Sequence, residues 1–375
     1  MNKTTKTILG LVVLILIIGG IYFLNQKTSG PVSDETIKIG VILPLTGELA
    51  TYGEGVKNAI DLAVEKSGFK DKIQIIAEDD HGCLSPDAVS AAQKLINLDK
   101  VTAIIGSLCT GSSLAIAPIT EQNKLILIAP TATGKNLTDA GEYVFRTIAS
   151  DADKSIAVAN YAFEKGFRKV ALLFDSSQDA LVSQRDDVKE AFTKLGGQVV
   201  VEESFVTKDR DLRSQLIKVK NTDADVIFIS AIPETLGVAL KEAETLGLTT
   251  QFISTETSAG TQMVIDLAGT SSENLIFPFA TTPENVEYNN FINDYKTAYG
   301  VEPTVYAAEG YDAGMLLIKS LFASDGTTDD IKKELFKIGN NYYGASGVIT
   351  FDQNGDVQKP MVIKTIKNGQ FVEVE

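Results

Sequence analysis

The sequence predicts an α/β protein of two lobes, each on a doubly wound parallel sheet, preceded by an N-terminal transmembrane helix. Three observations carry this. At 375 residues the chain is too long for one ordinary core and comfortable for two. From Ile37 onward, short apolar runs alternate with longer amphipathic segments. The apolar runs are continuous rather than alternating, which marks strands covered by helices on both faces.

The N-terminus comes first. Lys3 and Lys6 precede an uncharged run over 8–24, roughly 17 residues, at the short end of what spans a bilayer. Lysines ahead of the run favour a cytoplasmic N-terminus and send the rest of the chain outward. The run ends in Tyr22-Phe23-Leu24-Asn25-Gln26, with no small-x-small cleavage pattern and no cysteine to accept a lipid. The expectation is an uncleaved anchor over 1–25, with a cleaved signal as the alternative; both place the body outside the cytoplasm. Residues 26–36, with Gly30, Pro31 and Ser33, read as a polar tether.

The body then runs in strand–helix units. A strand over 37–43 precedes a helix with Val56, Ile60, Ala63 and Val64 on one face. Next come a strand over 73–77, a helix near 86–98, a strand over 101–105, a helix near 113–122 and a strand over 125–128. After Ala149-Ser150-Asp151 the pattern restarts, with a helix near 153–165, a strand over 169–174, a helix near 182–195 and a strand over 199–203. A helix near 212–220, a strand over 226–230, a helix near 234–246 and a strand over 251–254 complete it. Helical periodicity returns near 285–299 and 305–323. The tail is β-like, with a strand over 347–351, a turn at Asn354-Gly355 and a hairpin turning at Asn368-Gly369.

Composition excludes several classes. A net charge of −15 argues against nucleic acid or an anionic lipid surface as partner. The single histidine, His81, cannot by itself make a His-rich metal centre, and the Gly-x-Ser-x-Gly and P-loop patterns do not occur. Asp79 and Asp80 are adjacent at a strand end, so their side chains diverge. No enzyme activity, cofactor or metal is expected. The two cysteines, Cys83 and Cys109, would pair in an oxidising compartment or stay as buried thiols.

What remains is a set of hydroxyl-rich turns after parallel strands. Gly106-Ser107-Leu108-Cys109-Thr110-Gly111-Ser112-Ser113 leads into a helix, and its amides and hydroxyls can cradle a carboxylate or merely cap the helix. Ala129-Pro130-Thr131-Ala132-Thr133-Gly134 supplies two further hydroxyls. In open parallel sheets ligands collect at the carboxyl ends of the strands, where both turns lie.

The run from Ile37 to Gly47, followed by Tyr52-Gly53, resembles the opening of the branched-chain amino-acid-binding (Leu/Ile/Val-binding) family, type I periplasmic binding proteins that serve ABC importers. The likeness continues through Asp79-Asp80, Cys83, Pro86, the Gly106–Thr110 and Ala129–Thr133 turns, Tyr311-Asp312-Ala313 and 344–351. It implies lobes of 37–149 plus 280–344 and 150–279 plus 345–375, joined by a three-strand hinge with strands near 147–151, 277–282 and 344–348. It implies a Cys83–Cys109 disulfide. Thr110 and Thr133 match residues that grip a ligand's α-carboxylate and α-ammonium, with the main chain of Thr131 helping. Tyr52 matches a cleft-lining aromatic, and Glu256 an acid that pairs with the α-ammonium.

Two positions depart from the family. Asp179 stands where a tyrosine often lines the side-chain pocket, and Ile232 where some leucine binders are aromatic. A carboxylate against an aliphatic ligand would be desolvated without a partner, so Asp179 points to a ligand with a polar or cationic side chain, unless it turns to solvent. The resemblance thus implies capture of an amino-acid-like ligand by hinge closure for an ABC transporter permease. The alternative is an extracellular sensing subunit of a signalling complex.

Overall fold

A computed structural model of the protein describes residues 36–207, 209–280 and 285–374. The expected anchor over 1–25 and nearly all of the tether therefore lie outside the described residues. Among the described residues no helix is long and apolar enough to cross a membrane.

The first lobe begins with β1 (Ile37–Leu43), α1 (Ala50–Lys66) and β2 (Ile73–Asp79), then α2 (Ser85–Lys94), β3 (Ala103–Gly106), α3 (Thr110–Gln122), β4 (Ile126–Ala129) and β5 (Val144–Arg146). The sheet order is β2-β1-β3-β4-β5. The β1–β3, β3–β4 and β4–β5 pairs are parallel, with Ile42 opposite Gly106 and Ile105 opposite Ile128. Ile39, Val41, Ile104, Ile105, Leu127 and Ile128 are wholly buried because helices cover both faces. Each such side chain contributes about 1.5–3 kcal/mol of transfer free energy.

The second lobe continues with α4 (Asp151–Glu164), β6 (Lys169–Asp175), α5 (Asp179–Lys194), β7 (Gln198–Phe205), α6 (Arg213–Lys220) and β8 (Val226–Ser230). It ends in α7 (Pro233–Thr245), β9 (Gln251–Ile253), α8 (Glu256–Ala259), α9 (Gln262–Ala268) and β10 (Ile276–Ala280). The chain then forms α10 (Val286–Tyr299), α11 (Ala307–Ala323) and α12 (Thr328–Ile338), the small β11 (Tyr342–Gly344) and β12 (Gly347–Ile349) pair, and the hairpin β13 (Met361–Lys367) and β14 (Gln370–Glu373). The second sheet has the order β14-β13-β10-β9-β8-β6-β7.

That sheet is not wholly parallel, as the sequence pattern implied. β13 runs antiparallel to both β10 and β14. The reversal is built by Asn368 and Gly369, both at positive φ (52° and 69°), as a tight hairpin of type I′ requires.

The chain leaves the first sheet between Arg146 and Asp151 and leaves the second after Ala280; residues 281–284 lie outside the described residues. Around the third expected hinge, 344–348, the chain is tied to α11 and β5. Asp312 on α11 accepts the amides of Ala345 (2.8 Å) and Ser346 (2.7 Å), and Arg146 pairs with Asp356 at 2.5 Å. These buried bonds hold 345–357 with the first lobe.

Candidate functional site

The floor of the first lobe is pinned from several sides. β3 ends at Gly106, where a Cβ would lie 2.2 Å from the carbonyl oxygen of Ile42 and φ is 144°, so only glycine fits. The buried Ser107 hydroxyl donates to Asp80 Oδ2 (2.5 Å), and the Cys83 amide donates to Asp80 Oδ1 (2.9 Å). Cys83 and Cys109 form a disulfide with Cα atoms 5.8 Å apart, joining the loop after β2 to the start of α3. Burial pushes the Asp80 carboxyl up despite these donors.

Asp79 turns the other way, accepting the Leu45 amide (2.8 Å) and the Thr46 hydroxyl (2.6 Å). Burial opposes its charge, but the Thr46, His81 and Leu45 hydrogen bonds outweigh it and hold its pKa below the ordinary carboxylate value. His81 lies on an exposed turn between Asp79 and Asp87. Among the described residues no group of side chains is arranged to hold a metal ion.

Above this floor the two hydroxyl turns lock together. The Gly134 amide donates to Thr110 Oγ1 (3.0 Å), and a Cβ on Gly134 would meet Thr110 Cγ2 at 2.4 Å. The buried Thr131 hydroxyl donates to the Leu108 carbonyl (2.6 Å), which commits that side chain to joining the turns. The Thr133 hydroxyl donates to Asp151 Oδ2 (2.8 Å), while the Asp151 amide donates to the Thr133 carbonyl (2.8 Å). Asp151 opens α4, and the preceding Ser150 caps that helix by accepting the Ala152 amide.

The second lobe brings Glu256 to the same place. After β9, Ser254 donates to the Ile229 carbonyl (2.7 Å), and Thr255 donates to Gln184 Oε1 (2.9 Å), which also accepts the Ser230 hydroxyl (2.9 Å). Glu256 follows on this braced turn. Its Oε2 lies 3.2 Å from the ammonium of Lys154, which is 3.5 Å from Asp151 Oδ1. Burial works against the Lys154 charge, but Glu256 and Asp151 prevail and its pKa stands above the ordinary lysine value. Tyr306, at φ 73° just before α11, lies beside this pair, the residue as a whole 39% exposed. Burial raises its phenol pKa, against the pull of Lys154.

Thr110, Thr131, Thr133 and Glu256 thus join one polar cluster built at the carboxyl ends of both sheets. Tyr52 lies on the first turn of α1, 41% exposed, without a hydrogen bond to that cluster. Asp179 opens α5, and its side chain lies outside the described residues. The roles of Asp151, Lys154 and Tyr306 were not read from the sequence. Asp151 had a signal, a Ser-Asp pair at a helix start following a strand-end threonine; Lys154 had none.

From residue 36 to residue 370 the sequence fits one family, described as periplasmic binding proteins. The chain belongs to that family. It is 28% identical over 339 residues to the Leu/Ile/Val-binding protein of Escherichia coli K12, covering 86% of this chain and 89% of that one. Among solved structures it resembles a leucine-binding protein from Thermotoga maritima, with a TM-score of 0.73 and 31% identity over 91% of this chain and 98% of the other. It also resembles an ABC-transporter solute-binding protein from Rhodopseudomonas palustris in complex with 3,4-dihydroxybenzoic acid. The TM-score there is 0.70 and the identity 26%, over 90% of this chain and 96% of that one. Membership of the periplasmic binding proteins gives an extracytoplasmic, solute-binding role and a fold of two α/β lobes.

Proposed function

We propose that the protein captures an amino acid or a related small polar ligand between its lobes and delivers it to the permease of an ABC transporter. The observation that carries this reading is the polar chain Thr133–Asp151–Lys154–Glu256, which runs from the strand ends of one sheet to those of the other. A ligand seated there touches both lobes, so its binding energy favours the closed arrangement. The first turn of α3, with Thr110, Thr133 and the main chain of Thr131, receives the ligand's carboxylate. Tyr52 lines the approach, and Glu256 faces the opposite end of the ligand. Asp179, at the start of α5, tunes the far end of the pocket toward polar groups.

The relatives named for leucine, isoleucine and valine, and the one holding a dihydroxybenzoate, support a small carboxylate as the common feature. Residues 1–25 serve as the membrane anchor in this reading. A thermal-shift screen of the protein against amino acids, small amides, polyamines and carboxylic acids tests it. Ligand at a hundredfold excess over Kd stabilises the native state by about 2.7 kcal/mol, so one chemical class will raise Tm clearly. A folded protein whose Tm responds to none of them would refute the reading.

A further inference from the structure

The counter-ion to Glu256 is already in place. Glu256 Oε2 and Asp151 Oδ1 are both buried, and neither accepts a hydrogen bond from any other group among the described residues. Both lie within ion-pair distance of Lys154, at 3.2 Å and 3.5 Å. The lysine side chain is 8% exposed and reaches this point from the inner face of α4, three residues after Asp151. An α-amino acid that docked its ammonium on Glu256 would place a second cation beside the first, in a site with little water to screen the two. One of the two Glu256 oxygens, Oε2, is already held by Lys154.

We propose that Lys154 supplies from the chain the ammonium that an α-amino acid would bring, and so selects small organic carboxylates without an α-ammonium. This rests on the reading of the cleft as a solute site and narrows its ligand class. The carboxylate end of such a ligand meets the Thr110 and Thr133 turns as before. Its α-position, carrying an oxo or hydroxyl oxygen or an aromatic carbon, meets Lys154 and Tyr306. An oxo or hydroxyl oxygen accepts from the lysine ammonium, which an ammonium group cannot do.

Calorimetric titration of the full-length protein with L-leucine, its 2-oxo and 2-hydroxy analogues and benzoate tests this. The expected result is that at least one amine-free acid binds tenfold or more tightly than leucine. Lys154→Gln is then expected to reverse the order by strengthening leucine and weakening the acids, while Lys154→Arg keeps the wild-type order. A purely structural lysine would change all affinities together and leave the ratio fixed. Leucine binding as tightly as every amine-free acid in the wild-type protein overturns the inference and leaves the solute-binding reading intact. Failure of every probe to bind overturns the inference, while the reading itself stands or falls by the broader thermal-shift screen. The wild-type comparison decides even where a variant does not fold.

Discussion

Asp312 shows how much one side chain sets at the junction between the sheets. It is wholly buried on α11, and its two oxygens accept the amides of Ala345 and Ser346, holding the chain in place before its last crossing. Burial pushes its pKa up to about 6, with the Ser346 and Ala345 donors and the nearby Lys359 opposing that rise. The sign of the pH effect follows from linkage. A carboxyl raised in the folded state binds its proton more tightly there than in the unfolded chain. Its cost to stability is therefore fully present above about pH 6 and disappears as pH falls below the unfolded value near 4. About two pKa units correspond to roughly 3 kcal/mol. Asp312→Asn removes the titration. The unfolding free energy of the wild type, taken relative to that variant, is expected to rise by an amount of this order from pH 7 to pH 4. A difference that stays flat across this range would show that the carboxyl does not titrate as its burial dictates.

At the scale of elements, the loops are held by ties that the strands alone do not supply. Arg146 ends β5 with no exposed surface, pairs with Asp356, and donates to Thr138 (2.8 Å) and to the carbonyl of Gly134 (3.0 Å). It thus fastens the Thr133–Gly134 turn to the segment before β13. Removing one partner of a buried pair costs about 3–5 kcal/mol, whereas replacing both with apolar residues costs far less. Arg146→Met is expected to lower the urea midpoint by that measure, and Arg146→Met/Asp356→Leu to recover part of it; a double variant no better than the single would mean the charge pair is not what matters. The same strand shows where the sequence was silent. β1 and β8 were legible to the residue, because both are short, mainly apolar runs bounded by polar turns. β5 was not, since three residues ending in an arginine carry no strand pattern until Asp356 is brought to neutralise it. α9 and α12 were missed as well: α9 spans only seven residues, and α12 opens on the polar run Thr327-Thr328-Asp329-Asp330 and is fixed by its Thr327 cap. In the site, threonines at strand ends were legible because the hydroxyl pattern and the fold rule for parallel sheets agree. Lys154 was not, because a lysine on an amphipathic helix reads as solvent-facing until Glu256 arrives from a hundred residues away.

Across the whole molecule, function depends on how strongly the two lobes hold each other. Lys135, just after the Thr133–Gly134 turn of the first lobe, pairs with Asp187 on α5 of the second at 2.5 Å. The pair is asymmetric, with Lys135 46% exposed and Asp187 only 3%. Burial raises the Asp187 pKa although Lys135 opposes it, and Asp187 Oδ2 accepts no hydrogen bond among the described residues. Because the lysine is half in water, its own attraction is screened and modest. The larger effect lies with the aspartate, which is buried here and which the proposed hinge opening would return to solvent. Lys135→Met leaves that charge buried and unpaired only in the closed arrangement, so it penalises closed over open without touching a ligand-facing group. A penalty of about 1.4 kcal/mol is a tenfold shift in that balance. Stopped-flow measurement of ligand release is expected to show dissociation roughly tenfold faster in Lys135→Met, with association little changed. Lys135→Met/Asp187→Leu is expected to return release toward the wild-type rate, since the buried charge is then gone. If the single variant releases ligand at the wild-type rate at low salt, the pair does not hold the lobes together, and closure rests on the ligand and on contacts such as Thr133–Asp151.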